Sequence, residues 1–430
     1  MTGPEDIAGA GPTGSPLREA RFRRLWLARG VTSVGGAMAP IALTFGVLSV
    51  GTIGDLGVVL AAQTAANAGC SLLGGALADH LSRALLMVAS DLLRCVTQAL
   101  LGILFIVDRP AVWVVALLAA AHGAGSALNG PARTGLVKQL VDPDRLQRAN
   151  STLTASESVV SVVALAAAGV LVAAVGPGPA LVIDAATFLA SAALLAPLAR
   201  GLGTAGSRPR VLRDLRAGLR YVRGTPWLPP SLALLGVFQF LFLGSVLVLG
   251  PVVIEQRGEP ASSWATVMVC FTVGALAGSL LAGRLRPSRP LLVSFHAILL
   301  ALPVLVLLAV SAPTWSIAVA HGVSGLVMGF GGVVWSTVLQ RSVDDALLGR
   351  VYALDWLASA ALRPAGLMLA GAAAAVLGPA AVLLGAAALL AAVVLLTANL
   401  PSVRSQRFQP PGPRAVPEPV PARATTKEST

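Results

Sequence analysis

Charged side chains are scarce in this sequence. Only 12% of its 430 residues are Asp, Glu, Lys or Arg, whereas 56% are hydrophobic and the mean hydropathy is +0.80. A soluble domain carries about 25% charged residues. The scarcity excludes a soluble globular protein and indicates an integral membrane protein.

Cysteine and the common catalytic motifs are also nearly absent. The three cysteines, Cys70, Cys95 and Cys270, lie inside apolar runs, which excludes a disulfide framework and a zinc cluster. There is no GxxxxGK[ST] motif, nucleophile elbow or metal-binding histidine motif, and no basic patch interleaved with aromatics. We therefore expect no enzyme activity, no cofactor, no bound metal and no nucleic-acid partner.

Long apolar runs recur along almost the whole chain. A helix needs about 20 mainly apolar residues to cross a bilayer, because its backbone must satisfy its own hydrogen bonds. The first run starts near Leu25 and is too long for a cleavable signal. Charges, Pro and Gly divide the runs into twelve spans, at 25–50, 56–77, 84–107, 111–134, 151–175, 179–199, 229–253, 264–283, 290–310, 314–338, 351–376 and 379–399.

The placement of positive charge predicts the orientation of these spans. If both termini are cytoplasmic, 26 of the 31 Lys and Arg residues fall on the inside and only Arg109 and Arg257 fall outside, with Arg29, Arg94 and Arg363 within spans. This asymmetry is what the positive-inside rule requires. It predicts a multi-pass protein of the cell (inner) membrane.

The spans form two halves, 21–199 and 229–400, joined by a cytoplasmic connector at 200–228. Within the connector, VLRDLRAGLRYVRG has an apolar face and a face of arginines, which suits a helix on the inner leaflet or a solvated linker helix. The tails, 1–20 and 401–430, lack periodicity and are expected to be disordered.

The two halves resemble each other at a constant offset of 202 residues. The identities are Trp113/Trp315, Gly123/Gly325, Gly130/Gly332, Val141/Val343, Asp142/Asp344, Leu146/Leu348 and Arg148/Arg350. The loop GGALADHLSR has a counterpart, LLAGRLRPSRPLL at 280–292, without the acid. An internal repeat of six spans places a substrate pathway between the halves.

GGALADHLSR resembles the loop between spans two and three of the major facilitator superfamily. Four further segments, FRRLWLARGVTSVGG, PARTGLVKQLVDPDRLQRAN, DLRAGLRYVRGTPWL and LLGRVYAL, look like the bacterial drug:proton antiporter family 3, which includes macrolide efflux pumps and the enterobactin exporter. The resemblance implies an all-α membrane protein with twelve transmembrane helices in two pseudo-symmetric six-helix bundles.

That loop is expected to act as a gate on the cytoplasmic side. Gly74 and Gly75 let the end of span two approach a neighbour closely, and Asp79, placed just past the helix end, can accept hydrogen bonds from another helix's N-terminus. By resemblance that neighbour is span eleven, and Arg83 could pair with Asp79 or Asp355. The alternative is that Asp79 and Arg83 only set topology and loop geometry.

Charges inside spans are costly unless paired or hydrated, so they are candidates for proton coupling or the transport pathway. Asp91 and Arg94, spaced i, i+3, favour a structural pair over a functional site. Glu157 and Asp184 have no sequence-local partner, which is typical of proton carriers. Arg363 could neutralise an acid or attract an anionic substrate.

Uncharged polar residues in the spans give weaker candidates. Gln63, Asn67, His122 and Gln239 are expected to face protein or a cavity rather than lipid. Hydrogen bonding between helices explains them as well as a ligand does. Arg29 lies close enough to the cytosol to snorkel.

The sequence thus predicts a secondary active exporter of amphipathic small molecules (drug, macrolide or siderophore type), acting as a monomer with protons as the coupling ion. Two departures from the family weaken the proton expectation: Gly36 stands where the subgroup commonly has an acid, and Ala119 stands near the place of a span-four arginine. A nutrient importer of the same fold and a non-transporting membrane scaffold or sensor are the alternatives.

Overall fold

The protein is built from helices. The computed structural model describes residues 16–80, 82–107, 110–142, 145–199, 211–285 and 287–407, and all regular structure in these segments is helical. The first half contains α1 (Ala20–Val50), α2 (Ile53–His80), α3 (Arg83–Val107), α4 (Val112–Leu140), α5 (Leu146–Val175) and α6 (Pro177–Ala199).

The second half contains two spans that are not uniform α-helices. The first combines α8 (Leu228–Phe238), a π turn (Gln239–Leu243) and α9 (Gly244–Gln256). After α10 (Ala261–Arg284), the next combines α11 (Pro290–Ala297), a 3₁₀ turn (Ile298–Ala301) and α12 (Pro303–Ala309). The remaining helices are α13 (Thr314–Ser342), α14 (Asp345–Leu377), α15 (Pro379–Ala398) and the short α16 (Pro401–Arg404).

Eleven helical stretches of the described chain are long and apolar enough to cross a membrane. The twelfth span is α2, which is 28 residues long and packs against α4 and α14. The predicted all-α architecture of twelve transmembrane helices is therefore confirmed.

Helix packing repeats between the halves. In the first half α2 packs on α4, and in the second half α10 packs on α13. Gly123 and Gly325, identical in the repeat, make these contacts: a Cβ at Gly123 would overlap the Gln63 carbonyl oxygen, and a Cβ at Gly325 would overlap that of Phe271. Equivalent residues thus pack equivalent helix pairs.

The halves meet through α2 against α14 and through α5 against α10. Glycines bring these helices close at one end of the molecule. This end, here called the distal end, lies opposite the one that holds residues 16 and 407. A Cβ on Gly57 would lie 2.7 Å from the Leu367 carbonyl oxygen and 3.3 Å from Gly371 Cα. Gly169 of α5 packs in the same way against Ser262 and Ala265 of α10.

Most buried apolar side chains form one cluster that extends through both halves. A second cluster lies in the first half toward the other end of the molecule, here called the terminal end, and includes Phe22, Leu25, Met87, Leu136 and Leu195. The central part of the first half, between these clusters, holds the intramembrane charges.

The connector contains helix α7 (Val211–Gly224), which packs against α14. Its Gly218 lies against Arg350 and Leu354, and the Tyr221 hydroxyl donates to the Ser342 carbonyl oxygen at 3.1 Å. The described part of the connector therefore rests on the second half.

Both tails have more structure than the sequence suggests in the parts that are described. Pro16–Arg18 form a 3₁₀ turn, and Glu19 pairs with Arg145 at 3.1 Å. At the other end α16 buries Val403 completely. Residues 1–15 and 408–430 lie outside the described residues.

A candidate transport cavity between the two halves

A cavity of about 630 Å³ lies between the halves. Its walls come from α1, α2, α3 and α5 on one side and from α9, α10 and α14 on the other. The charged side chains in its lining are Arg29, Arg94, Glu157 and Arg363, and the apolar walls include Ile41, Leu60, Leu247, Trp264, Met268 and Phe271.

Glu157 of α5 is held by two guanidinium groups. Arg29 Nε of α1 lies 2.8 Å from Glu157 Oε1, and Arg133 Nη1 of α4 lies 3.0 Å from Oε2. The Arg29 guanidinium also donates to Asn129 Oδ1 at 3.1 Å. Glu157 is therefore not a lone carboxylate, and Arg29 points to the cavity network, contrary to the expectation that it snorkels to the cytosol.

Asp91 and Arg94 of α3 form a buried pair. Arg94 Nη1 lies 3.6 Å from Asp91 Oδ1, and Asp91 Oδ2 accepts a hydrogen bond from the Ser191 hydroxyl at 2.6 Å. The Arg94 guanidinium also stacks 3.8 Å from the centre of the Phe188 ring, a cation–π contact. Asp91 is 1% exposed, so this pair links α3 to α6.

Asp184 of α6 is completely buried. Gln98 Nε2 donates to Asp184 Oδ2 at 2.6 Å, and the Thr187 hydroxyl lies 3.4 Å from Oδ1. A Cβ on Gly35 of α1 would overlap Asp184 Oδ1, so the carboxylate fills the gap between α1 and α6. It does not line the cavity.

The other candidates are dispersed. Gln63 and Arg363 line the cavity, whereas Asn67 Nδ2 donates to the Gly123 carbonyl oxygen at 3.2 Å and serves helix packing. The His122 ring contacts Phe188 edge-on at 5.8 Å between centroids. Gln239 begins the π turn and lines a separate, smaller cavity.

Two of the predicted gate residues, Arg83 and Asp355, have partners other than those expected. Arg83 Nη1 donates to the Gly135 carbonyl oxygen at 2.8 Å, and Asp355 Oδ2 accepts from Trp335 Nε1 at 3.1 Å, so Arg83 and Asp355 do not pair with each other. Asp79 lies within α2, which continues to His80, rather than after its end. The surroundings of Gly74, Gly75 and Asp79 lie outside the described part of the structure.

Arg133 and Asn129 also belong to the network, and Arg133 was not among the residues predicted from the sequence. Both are on α4, and Arg133 lies 24 residues before Glu157 across the short corner between α4 and α5. Antiparallel helices joined by a short corner place residues at similar distances from it side by side. That spacing is the signal that could have identified Arg133. Among the described residues, no group of three His, Cys, Asp or Glu is placed to hold a metal ion.

A family model described as Major Facilitator Superfamily matches residues 25–366. The chain belongs to the major facilitator superfamily. Members of this superfamily are multi-pass transporters of small molecules, not enzymes.

Two curated relatives are bacterial. The chain is 30% identical over 255 residues to an uncharacterized MFS-type transporter, y4rN, of Sinorhizobium fredii (strain NBRC 101917 / NGR234), which covers 55% of this chain and 59% of that protein. It is 27% identical over 341 residues to the multidrug efflux pump Tap of Mycolicibacterium fortuitum, 74% of this chain and 80% of that protein. The chain thus matches somewhat more than half the length of the first relative.

Among solved structures, the nucleoside transporter NupG resembles this protein with a TM-score of 0.71 at 12% sequence identity, over 88% of this chain and 98% of that chain. This similarity supports the twelve-helix fold.

Proposed function

We propose that the protein is a secondary active exporter of amphipathic small molecules, coupled to protons and working by alternating access. The observation that carries the proposal is the central cavity, which both halves line and which contains an ionised network on one wall. Its volume lies in the range of small-molecule sites, about 300–1,000 Å³.

The cavity wall has the chemistry of an amphipathic substrate. Leu247, Met268 and the rings of Trp264 and Phe271 offer apolar surface from the second half. Arg29, Gln63 and Ser33 offer polar groups from the first half. A molecule with an apolar body and a polar edge can contact both halves at once, so its binding depends on their relative orientation.

Glu157 is the proposed coupling residue. It lies on the cavity wall and is 19% exposed, so a proton can reach it from water in the cavity. Protonation removes the charge that holds Arg29 and Arg133, which raises the cavity's net charge by one. Because like charges repel strongly at low dielectric, a proton on Glu157 and a cationic group in the cavity oppose each other. That opposition is the requirement for exchange of proton for substrate.

The outward direction of transport is proposed from the likeness to the efflux pump of Mycolicibacterium fortuitum, over 80% of its length. The location in the inner membrane with both termini cytoplasmic, and function as a monomer, also belong to this proposal. The orientation of the termini is supported by the distribution of Lys and Arg along the chain.

Everted membrane vesicles test the proposal. The readout is uptake of a bisbenzimide dye, a macrolide and a tetracycline with an imposed proton gradient. We expect uptake that collapses with an uncoupler. Glu157→Gln should lower gradient-driven uptake at least about tenfold, because the amide cannot carry a proton, while substrate–substrate exchange persists.

Four outcomes contradict parts of this proposal. Uptake that ignores the gradient removes proton coupling, and accumulation only in right-side-out vesicles indicates an importer. No transport of any compound favours a scaffold or sensor. Full coupled transport by Glu157→Gln removes Glu157 from the mechanism, and Glu255→Gln, on α9 and outside the cavity lining, is the matched control.

A further inference from the structure

A second cavity, of about 170 Å³, lies entirely within the second half between α8, α11, α13 and α14. Three aromatic rings, Phe238, Phe295 and Trp335, form much of its wall. The polar side chains that line it are Gln239, Ser294, Asp355 and Ser359.

Two polar atoms in the lining of this cavity have no hydrogen-bond partner in the described chain. Gln239 Oε1 and Ser294 Oγ are buried and have no hydrogen-bond partner. Ser294 is 5% exposed. Buried polar groups are nearly always hydrogen-bonded in folded proteins, so two orphan oxygens facing one cavity indicate that a donor is missing.

Asp355 is the cavity's only acid, and its partner is neutral. Its Oδ2 accepts from Trp335 Nε1 at 3.1 Å, and no Lys, Arg or His of the described chain lies within ion-pair distance of it. In the repeat, Trp335 corresponds at the offset of 202 to Arg133, which pairs with Glu157 in the first half. The second half therefore has an indole where the first half has the Arg133 guanidinium, and its acid, Asp355, lies one turn before Ser359, the counterpart of Glu157.

The second cavity and the central one lie beside successive turns of α14. Asp355 and Ser359 line the second cavity, whereas Arg363 and Leu367, one and two turns further, line the central cavity. Successive positions four apart face similar directions on a helix. The second cavity is therefore next to the proposed transport pathway.

We propose that the second cavity binds the protonated amino group of an amphipathic substrate, a primary or secondary alkylammonium. This inference rests on the proposed transport function. Asp355 supplies the negative charge that pairs with the ammonium. An ammonium has N–H donors and no acceptor, so it suits the Gln239 and Ser294 oxygens.

The aromatic wall favours the same ligand. A cation near the face of an aromatic ring is attracted by the ring quadrupole. Trp335 is already fixed by its hydrogen bond to Asp355 and by edge-on contact with Trp227 at 6.1 Å between centroids. A carboxylate, acceptor oxygens and aromatic rings around one small space form a site for an organic cation. The three arginines of the central cavity would repel that cation there.

Binding of 4-phenylbutylammonium and its neutral analogue 4-phenylbutan-1-ol to the purified full chain in lipid nanodiscs tests the site by calorimetry. We expect the wild type to bind the ammonium more tightly. Asp355→Asn should weaken ammonium binding about tenfold or more, as expected on removing one partner of a buried charge pair. The affinity of the Asp355→Asn variant for the alcohol should differ from that of the wild type by less than twofold.

Asp344→Asn, in the exposed residue preceding α14, is the matched control and should leave both affinities unchanged. If Asp355→Asn is misfolded and binds neither compound, Gln239→Leu is the second test of the site. Weaker binding of the ammonium alone by Gln239→Leu supports the site, and unchanged binding overturns it. An Asp355→Asn variant that keeps wild-type ammonium affinity, or a wild type that does not prefer the ammonium, also overturns it.

Failure of this inference is distinguishable from failure of the proposed transport. If vesicles show proton-driven uptake of a neutral macrolide but the binding assay shows no preference for the ammonium, only the proposed second site is overturned. Asp355-dependent ammonium binding in a protein that transports nothing in vesicles removes the exporter proposal alone.

Discussion

Glu157 and Asp355 occupy neighbouring turns of equivalent helices in the two halves, since Glu157 corresponds to Ser359 in the repeat. Glu157 has two arginine partners, whereas Asp355 has one indole N–H. The first half also buries Asp91 and Asp184, with Arg94 12% exposed beside Asp91, while His321 of the second half lies among the rings of Phe242, Trp264 and Phe271. One fold therefore carries a charged half and an aromatic half, and the pathway between them has two chemically different walls.

The largest expected effect comes from breaking the charged half. Asp91→Leu leaves Arg94 buried without its counterion, which should cost about 3–5 kcal/mol of unfolding free energy. Asp355→Leu removes one hydrogen bond, donated by the neutral Trp335 indole, and no ion pair among the described residues, and should cost only about 1–2 kcal/mol. Thermal unfolding in detergent measures both.

The double variant Asp91→Leu/Arg94→Met is the control, because it removes both charges and should recover much of the loss. Equal destabilisation by Asp91→Leu and Asp355→Leu would show that the two halves do not differ in this respect.

The contact between the halves at the distal end should respond to a single methyl group. Gly57→Ala places a Cβ 2.7 Å from the Leu367 carbonyl oxygen, which is backbone and cannot rotate away. Overpacking of this kind costs about 1–3 kcal/mol. We expect the distal ends of α2 and α14 to separate in more molecules and transport to fall several-fold.

Pulsed EPR distances between spin labels on the distal ends of α2 and α14 measure the separation, in a background without Cys70, Cys95 and Cys270. Gly54→Ala is the matched control on the same helix, because its Cβ would meet nothing closer than the Thr52 hydroxyl at 3.6 Å. If Gly57→Ala and Gly54→Ala give the same distances, the glycine contact does not hold the halves together.

The smallest expected effect concerns a corner of the aromatic half outside the membrane spans. The Thr314 hydroxyl donates to Glu259 Oε2 at 2.5 Å, and Arg257 Nη2 lies 2.9 Å from Oε1. The Thr314 hydrogen bond, with smaller contributions from a Ser263 hydrogen bond and the Arg257 charge, holds the pKa of Glu259 below its ordinary value. A carboxylate with a lowered pKa stabilises the fold above its unfolded pKa, and this contribution is lost as pH falls through the folded pKa.

Thr314→Val should raise the pKa of Glu259 toward its ordinary value and weaken the dependence of the melting temperature on pH in the acidic range. The change at pH 7 should be below about 1 kcal/mol, because partly exposed groups are screened by solvent. Ser316→Ala, which removes a hydroxyl bonded only to the Pro313 carbonyl oxygen in the same corner, should leave the pH dependence unchanged.

Local sequence signals predict much of this protein. Apolar runs place the spans, and the i, i+3 spacing indicates the Asp91–Arg94 pair that the structure contains. Helix ends were less predictable: α4 continues to Leu140 and α5 starts at Leu146, because charged residues outside the bilayer can remain helical. The expected ends, at 134 and 151, marked only the apolar run.

The site itself depends on contacts distant in sequence. Arg29 reaches Glu157 across 128 residues, and no local pattern reports that distance. The π turn at Gln239–Leu243 cannot be predicted from the sequence either. Its residues suit an ordinary α-helix, and tertiary packing selects the wider turn. Asp355 could be located on span eleven, but its cavity becomes evident only when four helices are assembled.

Every ion pair between described side chains joins two groups of the same half. A rigid rotation of one half against the other therefore leaves all of them intact, and the described contacts that it must break are apolar and glycine-to-backbone ones. These described ion pairs therefore contribute no salt-dependent term to the barrier between the two access states.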